Sequence, residues 1–325
     1  MKKFKLLLVL LLLYSSCSKN KEAENVNTNW TILTTGILTS LYSVHFVNTY
    51  TGFVVGLNGI ILKTVNGGSD WTSQTSGTSF HLYSVYFTDL NTGYAVGEYG
   101  IILKTTDGGL IWTKQTSGVS ENLCSVYFTF ADTGFIVGQN GIILKTSNGG
   151  TDWIPQVSGT TIPLNSVYFT DANTGYIVGF GIILKTINGG INWTCQYSGI
   201  NIWLNSVYFT DKNIGYVVGD YGTILKTIDK GVSWTNMSSG TLADLRAVCF
   251  PQTNSKNIGY AVGYGGTILK TTNGGTLWTS QTISTAYELL SICFPDINTG
   301  YIVGGKYDDT SGIIIKTTNG GAGSN

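Results

Sequence analysis

The side chains able to do chemistry in this chain are few and scattered. Its single arginine, Arg246, follows Asp244 by two residues, a spacing that suits a local ion pair or a grip on a partner's carboxylate. Glu98, Glu121, Asp220, Asp244 and Glu288 could serve a glycosidase only if two of them met at about 5 to 10 Å. They lie in separate segments, and sequence alone does not pair them. His45, His81, Cys124, Cys195, Cys249 and Cys293 show no CxxC spacing, so no metal site is expected, and Cys249 and Cys293, at a repeat position held elsewhere by Tyr, read as buried free thiols. Asp308-Asp309 has no further acidic ligands beside it, which argues against calcium. Nucleophilic-serine, phosphate-loop and flavin signatures do not occur, because the Gly-x-x-Gly segments join strand to strand without the helix a phosphate site requires. What remains is aromatic: Trp203, Tyr83, Tyr99, Tyr221, Tyr264 and Phe180, side chains that stack on sugar rings or anchor a protein partner. The reading is a binding protein without cofactor or metal, not an enzyme.

Composition says what must position these residues. Glycine is 43 of 325, charged residues are 11%, proline is 4 and aromatics are 12%. Ordinary domains carry about 25% charge. A charged helical bundle and a disordered tail are both excluded, and many short strands joined by glycine turns are favoured. The formal net charge is zero, so the basic footprint of a nucleic-acid binder is missing.

Tryptophan measures the organisation. Trp30, Trp71, Trp112, Trp153, Trp193, Trp234 and Trp278 are spaced 41, 41, 41, 40, 41 and 44, a period that signals one supersecondary unit per repeat. In one repeat, alternating or apolar runs at Leu82 to Phe87, Gly93 to Gly97, Ile101 to Thr105 and Trp112 to Thr116 predict four strands, with helix almost absent. Between the third and fourth, Thr105-x-Asp107-x-Gly109-x-x-Trp112 recurs around Asn66 and Trp71, Asn148 and Trp153, Asn188 and Trp193, Asp229 and Trp234, and Asn273 and Trp278. Asn or Asp bonds the backbone two residues on, glycine takes a positive φ, and Trp covers the turn.

This motif resembles the Asp-box, or bacterial neuraminidase repeat, of sialidases, sortilin-type receptors and the photosystem II stability and assembly factor-like propellers. SVYF, then TGY-x-VG, then G-x-ILKT-x-NGG-x-x-W is most similar to the last of these, from Trp30 to Gly321. The resemblance implies an all-β propeller and a protein-binding or assembly role. Sialidases of this type hold substrate with an arginine triad, which one Arg cannot supply. The photosynthetic role is not carried over, since members with that role resemble one another in an arginine-rich patch.

Triplets of strands begin at Leu41, Leu82, Leu123, Leu164, Leu204, Leu245 and Leu289, making seven. The last runs out after Gly321, with Ser324 where Trp would stand, while Trp30 to Leu33 is a fourth strand without its first three. The remnants complete one blade. Residues 30–325 are therefore expected to form one monomeric seven-bladed β-propeller of four-stranded blades, closed 1+3 by the N-terminal strand.

Antiparallel strands sort each blade's loops onto two faces. One carries the repeated boxes; the other varies, with Ser40, His81, Asn122, Pro163, Trp203, Asp244 and Glu288 before the first-strand Leu, and Tyr42, Tyr83, Cys124, Asn165, Asn205, Arg246 and Leu290 after it. The variable face is the expected binding face, including the loop from Gly304 to Gly312. Blade six extends a loop on the other face through 252–256. Lys63, Lys104, Lys145, Lys185, Lys226, Lys270 and Lys316 recur with the repeat and read as structural.

The first 29 residues read as an address. Lys2, Lys3 and Lys5 precede the apolar run Leu6 to Leu13, too short for a bilayer but the size of a signal-peptide core. Tyr14-Ser15-Ser16-Cys17 resembles a lipobox, which implies removal of residues 1–16, acylation at Cys17 and a tether over 17–29. Loss of three lysines leaves 15 basic against 18 acidic side chains. The protein is expected to be an exported outer-membrane lipoprotein, facing periplasm or surface, whose partner is an envelope protein or a glycan. The alternative to a scaffold is a glycan-binding or glycoside-hydrolase-like protein.

Overall fold

A computed structural model describes residues 29–33, 36–196, 198–251 and 256–321. The signal segment, Cys17, the tether up to residue 28, residues 252–255 of the blade-six extension and Ser324 lie outside the described residues. Among the described residues there are seven four-stranded antiparallel sheets, each built from consecutive strands except the last. In the second blade the strands are Leu82–Phe87, Gly93–Gly97, Ile102–Thr105 and Thr113–Gln115. The third starts one residue later than expected because Ile101 closes a single 3-10 turn over Glu98–Gly100, donating its N–H to Glu98 O at 3.0 Å. Four such turns are the helical content among the described residues. Trp112 stands just outside its ladder, its indole lying over the turn.

Burial explains the strand sequences. The second strand of every blade is buried at every position, because neighbouring blades cover both its faces, so it reads as an unbroken apolar run instead of an alternating one. The core accordingly lies between blades: Phe53, Val55 and Ile61 of one pack with Leu82, Val85, Phe87, Leu103 and Trp112 of the next. Strands sandwiched on both sides leave few places for ions, which accounts for the low charge.

The box turns are held as the motif requires. Thr105 Oγ1 accepts from Gly109 N at 2.9 Å and donates to Asp107 Oδ1 at 2.8 Å, and that oxygen also accepts from Ile111 N at 3.0 Å. Gly109 has φ +89°, and a Cβ there would meet Phe53 Cε1 of the neighbouring blade at 2.9 Å. The recurring lysines bind blade to blade. Lys104 Nζ donates to Gly149 O at 2.6 Å, Lys145 to Gly189 O at 2.7 Å, and so around the ring to Lys316 and Gly67 O at 2.6 Å. Each ammonium also lies over a Phe or Tyr ring, 5.5 to 5.7 Å from its centroid. They stabilise the ring and present no basic binding surface.

The ring closes as expected. Thr31–Leu33 pairs antiparallel with Gly312–Thr317, Ile32 opposite Ile315, as the outer strand of the blade formed by Glu288–Cys293 and Gly300–Gly305. Trp30 is 2% exposed, edge-on to Tyr260 and Phe294 at 6.0 Å each. The seventh box is thus split between the two chain ends. Thr317 Oγ1 accepts from Gly321 N at 3.0 Å, and Asn319 Nδ2 donates to Asn29 Oδ1 at 3.3 Å, where Asn66 and Asn148 use Asp70 and Asp152 of their own turns.

Candidate functional site at the channel mouth

The innermost strands ring the channel, and each is bulged just after its leading Leu: in six the pairing slips between Leu41 and Ser43 or its equivalent, in the sixth blade between Leu245 and Ala247. The bulge is where the variable residues concentrate. Tyr42, Tyr83, Cys124, Asn165, Asn205, Arg246 and Leu290 line a cup of about 760 Å³, joined by Ser40, Asn122, Trp203 and Glu288 before the strands and by Lys306, Tyr307 and Asp309 from the blade-seven loop. Positions that differ between otherwise uniform repeats therefore converge on one cavity.

One wall is ionic. Arg246 pairs with Asp220 of the neighbouring blade at 3.8 Å, donates to the Tyr264 hydroxyl and stacks on that ring at 4.2 Å. This corrects the local pairing with Asp244, whose carboxylate instead caps the Tyr221 N–H at 2.9 Å. Asp220 also accepts from Asn205 Nδ2 at 3.0 Å. Burial pushes the Glu288 carboxyl above its ordinary range, aided by the charges of Asp309 and Asp244 and opposed by Arg246 and a hydrogen bond with Tyr264.

The other wall is aromatic. Tyr42 and Tyr83 lie 5.5 Å apart, tilted by 44°. Tyr83 donates to Glu98 Oε1 at 3.3 Å, and Glu98 Oε2 accepts from His81 N at 2.9 Å. Burial, with Asp309 and Glu98 nearby, pushes the Tyr42 phenol up to about 12. Trp203 is 38% exposed and rests edge-on against Phe180 at 5.2 Å, so it forms the rim and does not plug the channel.

The plug sits deeper, about 10 Å along the strands at 3.3 Å per residue. Tyr86, Tyr127, Tyr168 and Tyr208 crowd around the axis at successive centroid distances of 5.4, 5.2 and 5.1 Å, donating their hydroxyls to the carbonyls of Phe128, Phe169, Phe209 and Phe250 at the end of the next inner strand or just past it. Cys249, Cys293 and His45 take the same place in the other three blades: the His45 imidazole meets the Phe87 carbonyl, while the Cys249 and Cys293 sulfurs accept from the backbone of Phe294 and Phe46. The thiols are structural substitutes for tyrosine, raised by burial. No group of three or more His, Cys, Asp or Glu side chains suited to a metal occurs among the described residues.

Burial lowers the His45 imidazole to about 4, even with part of the residue open to the channel. An unfolded histidine titrates near 6.5. Between those values the unfolded chain binds the extra proton, so this contribution to stability is complete above about pH 6.5 and is lost as pH falls toward 4. The expected loss is about 2 to 3 kcal/mol. Denaturant titrations at pH 7 and pH 4.5 check it, with His45→Tyr expected to lack this step.

Not every expected site residue joins the cup. Tyr83, Trp203, Tyr264 and Arg246 line it; Phe180 backs Trp203, and Asp244 lies behind, its carbonyl accepting from Tyr264 N at 3.0 Å. Tyr99 and Tyr221 do not. Each sits at positive φ in a turn between second and third strands, facing outward over separate shallow grooves, and Tyr99 rests on Phe80 at 5.0 Å. Glu121 borders the Tyr99 groove. Tyr42, Asn122, Asn165 and Asn205 join the cup from the variable positions flanking Leu41 and its equivalents, Asp220 and Glu288 from the scattered carboxylates, and Asp309 from the blade-seven loop; Gln139 is a lining residue that the sequence did not single out.

Comparison with known proteins places this geometry. The chain matches no curated protein. Among solved structures, YCF48 bound to D1 peptide superposes with a TM-score of 0.75 at 19% identity, over 90% of this chain and 95% of that one. YCF48 from Cyanidioschyzon merolae gives 0.72 at 18%, over 89% and 98%. The GH74 xyloglucanase from Xanthomonas campestris gives 0.72 at 11%, over 90% of this chain but 53% of that enzyme. At these identities the likeness is one of fold. The model of the photosynthesis system II assembly factor YCF48 family matches residues 22–116, 75–163, 156–242 and 192–280, and the chain, matched over most of its length, belongs to that family.

Proposed function

We propose that this protein is a non-catalytic, lipid-anchored propeller of the cell envelope that holds a segment of a partner protein in the cup at its channel mouth. The observation that carries the reading is the convergence of repeat-to-repeat variable positions on one cavity, while the box face stays uniform. A YCF48 structure with a bound D1 peptide supports a protein ligand for a fold of this kind. Two of the acids near the cup are committed to the scaffold, Asp220 to Arg246 and Asn205 and Glu98 to Tyr83 and the His81 backbone, which leaves Glu288 and Asp309 to meet a ligand.

The test sets an envelope pull-down beside a glycan array, each repeated with Trp203→Ala. The expected result is a protein partner lost with the variant and no glycan signal. Glycan binding that disappears in the variant would establish the glycan-binding alternative instead. For the anchor, Cys17→Ser is expected to move the protein from the membrane to the soluble fraction and to abolish fatty-acid labelling; unchanged partition would remove the lipid from the proposal.

A further inference from the structure

We propose that the cup takes a basic side chain, a lysine or arginine on an extended segment of the partner, its charge between Glu288 and Asp309 and its neighbours on Tyr42, Tyr83 and Trp203. This rests on the reading of the cup as a protein-binding site and names the chemistry that fills it.

The charges of the cup do not balance. Asp220, Glu288 and Asp309 line it, with Glu98 and Asp244 just behind, against Arg246 and Lys306. Both cations are engaged: Arg246 with Asp220 and Tyr264, and Lys306 over the Tyr287 ring at 6.0 Å. Among the described residues the lysine and arginine ion pairs are Arg246 with Asp220 and Lys256 with Asp211, so neither Glu288 nor Asp309 has a cation within 4.0 Å. The two carboxylates are near enough for the charge of one to raise the other.

Ligand classes separate on this feature. An acidic segment would add a third negative charge to a pair that Arg246 offsets only in part. A neutral sugar would strip water from both carboxylates and return only neutral hydrogen bonds. A cation neutralises them, and the facing rings of Tyr42 and Tyr83 add the attraction of an aromatic face for positive charge. The cavity exceeds the size of one ammonium group, and its far rim is the Trp203 and Phe180 shelf, which suits residues adjoining the basic one. A peptide fits this shape better than a free amine.

The experiment pans a random 12-residue display library on the immobilised full-length protein and measures the enriched peptides, made synthetically, by titration calorimetry. The enriched sequences are expected to share one Lys or Arg beside aromatic or branched residues. Glu288→Gln/Asp309→Asn is expected to weaken them about tenfold or more. Norleucine in place of the base should cost as much in the parent protein and nothing further in the double variant. The double variant must match the parent in circular dichroism, and Glu288→Gln alone serves if it does not. Enriched peptides without a base, or unchanged affinity in the charge variants, overturn the inference. If such peptides still lose affinity with Tyr83→Ala, the cup remains a protein site of other chemistry. Spermidine or free lysine competing at the peptide's own affinity assigns the cup to amines and overturns the segment. No enrichment on the parent overturns both the inference and the reading it rests on.

Discussion

Trp30→Ala is expected to lower the stability of the propeller by about 3 to 5 kcal/mol, as for other buried tryptophans. The side chain is 2% exposed in a cluster with Tyr260, Phe294, Ile313 and Ile315. Its loss differs in kind from that of Trp112, which is 7% exposed inside a contiguous blade. Trp30 sits at the start of the strand that closes the ring, and its indole covers Gly321, whose Cβ position lies 3.0 Å from Nε1. Without that packing, three residues of ladder from Thr31 to Leu33 have little to hold them against Gly312–Thr317. The freed edge is a template for association. Urea titration and size-exclusion chromatography should therefore show Trp30→Ala both destabilised and prone to oligomers, with Trp112→Ala destabilised but monomeric. Identical behaviour of the two would mean that the N-terminal strand is not the closure of the ring.

Gly219→Ala is expected to cost about 3 kcal/mol or more and to disturb the cup as well. The glycine at the end of each second strand, one residue before it in the seventh blade, has no positive φ; what it needs is space. A Cβ on Gly219 would lie 2.2 Å from Trp203 O, and the equivalents at Gly97, Gly263 and Gly304 meet His81, Asp244 and Glu288 O at 1.8, 2.0 and 1.9 Å. The atoms that must yield are backbone, so relief requires moving the residue before the inner strand, which is a cup residue. Gly240→Ala is the contrast. It has φ +74° and open space within 4 Å, so only the conformational cost of about 1 to 2 kcal/mol is expected. Melting curves give the stabilities, and Trp203 fluorescence against a Trp203→Phe background reports the rim. A Gly219→Ala protein as stable as Gly240→Ala would show that the close approach is not rigid.

The glycine of TGY-x-VG shows where sequence reading stopped. Its recurrence was visible, but its reason is contact with a carbonyl fifteen or more residues earlier in the chain, fixed only when the bulged strands pair. The cup follows the same rule. Arg246 and Asp244 are close in sequence, yet Arg246 meets Asp220 because the turn between the second and third strands of one blade overhangs the inner strand of the next. Tyr99 and Tyr221 share a face with Tyr83, but the left-handed turns that carry them project outward, and face membership alone does not separate rim from channel.

The sequence by itself determined the number of blades, their strands, the box turns and the split closing blade. The strands and box turns follow from interactions within about ten residues, and their repetition lets the blades be counted and the two unmatched ends be assigned to one blade. Only the tertiary structure decided which charges remain unpaired and which aromatics face them. Those relations run between blades, about 41 residues apart or across the joined chain ends, where Asp309 of the last blade meets Tyr42 of the first and Glu288 shares their cup. Distance along the chain carries no record of such meetings; the curvature that closes seven sheets into a ring creates them.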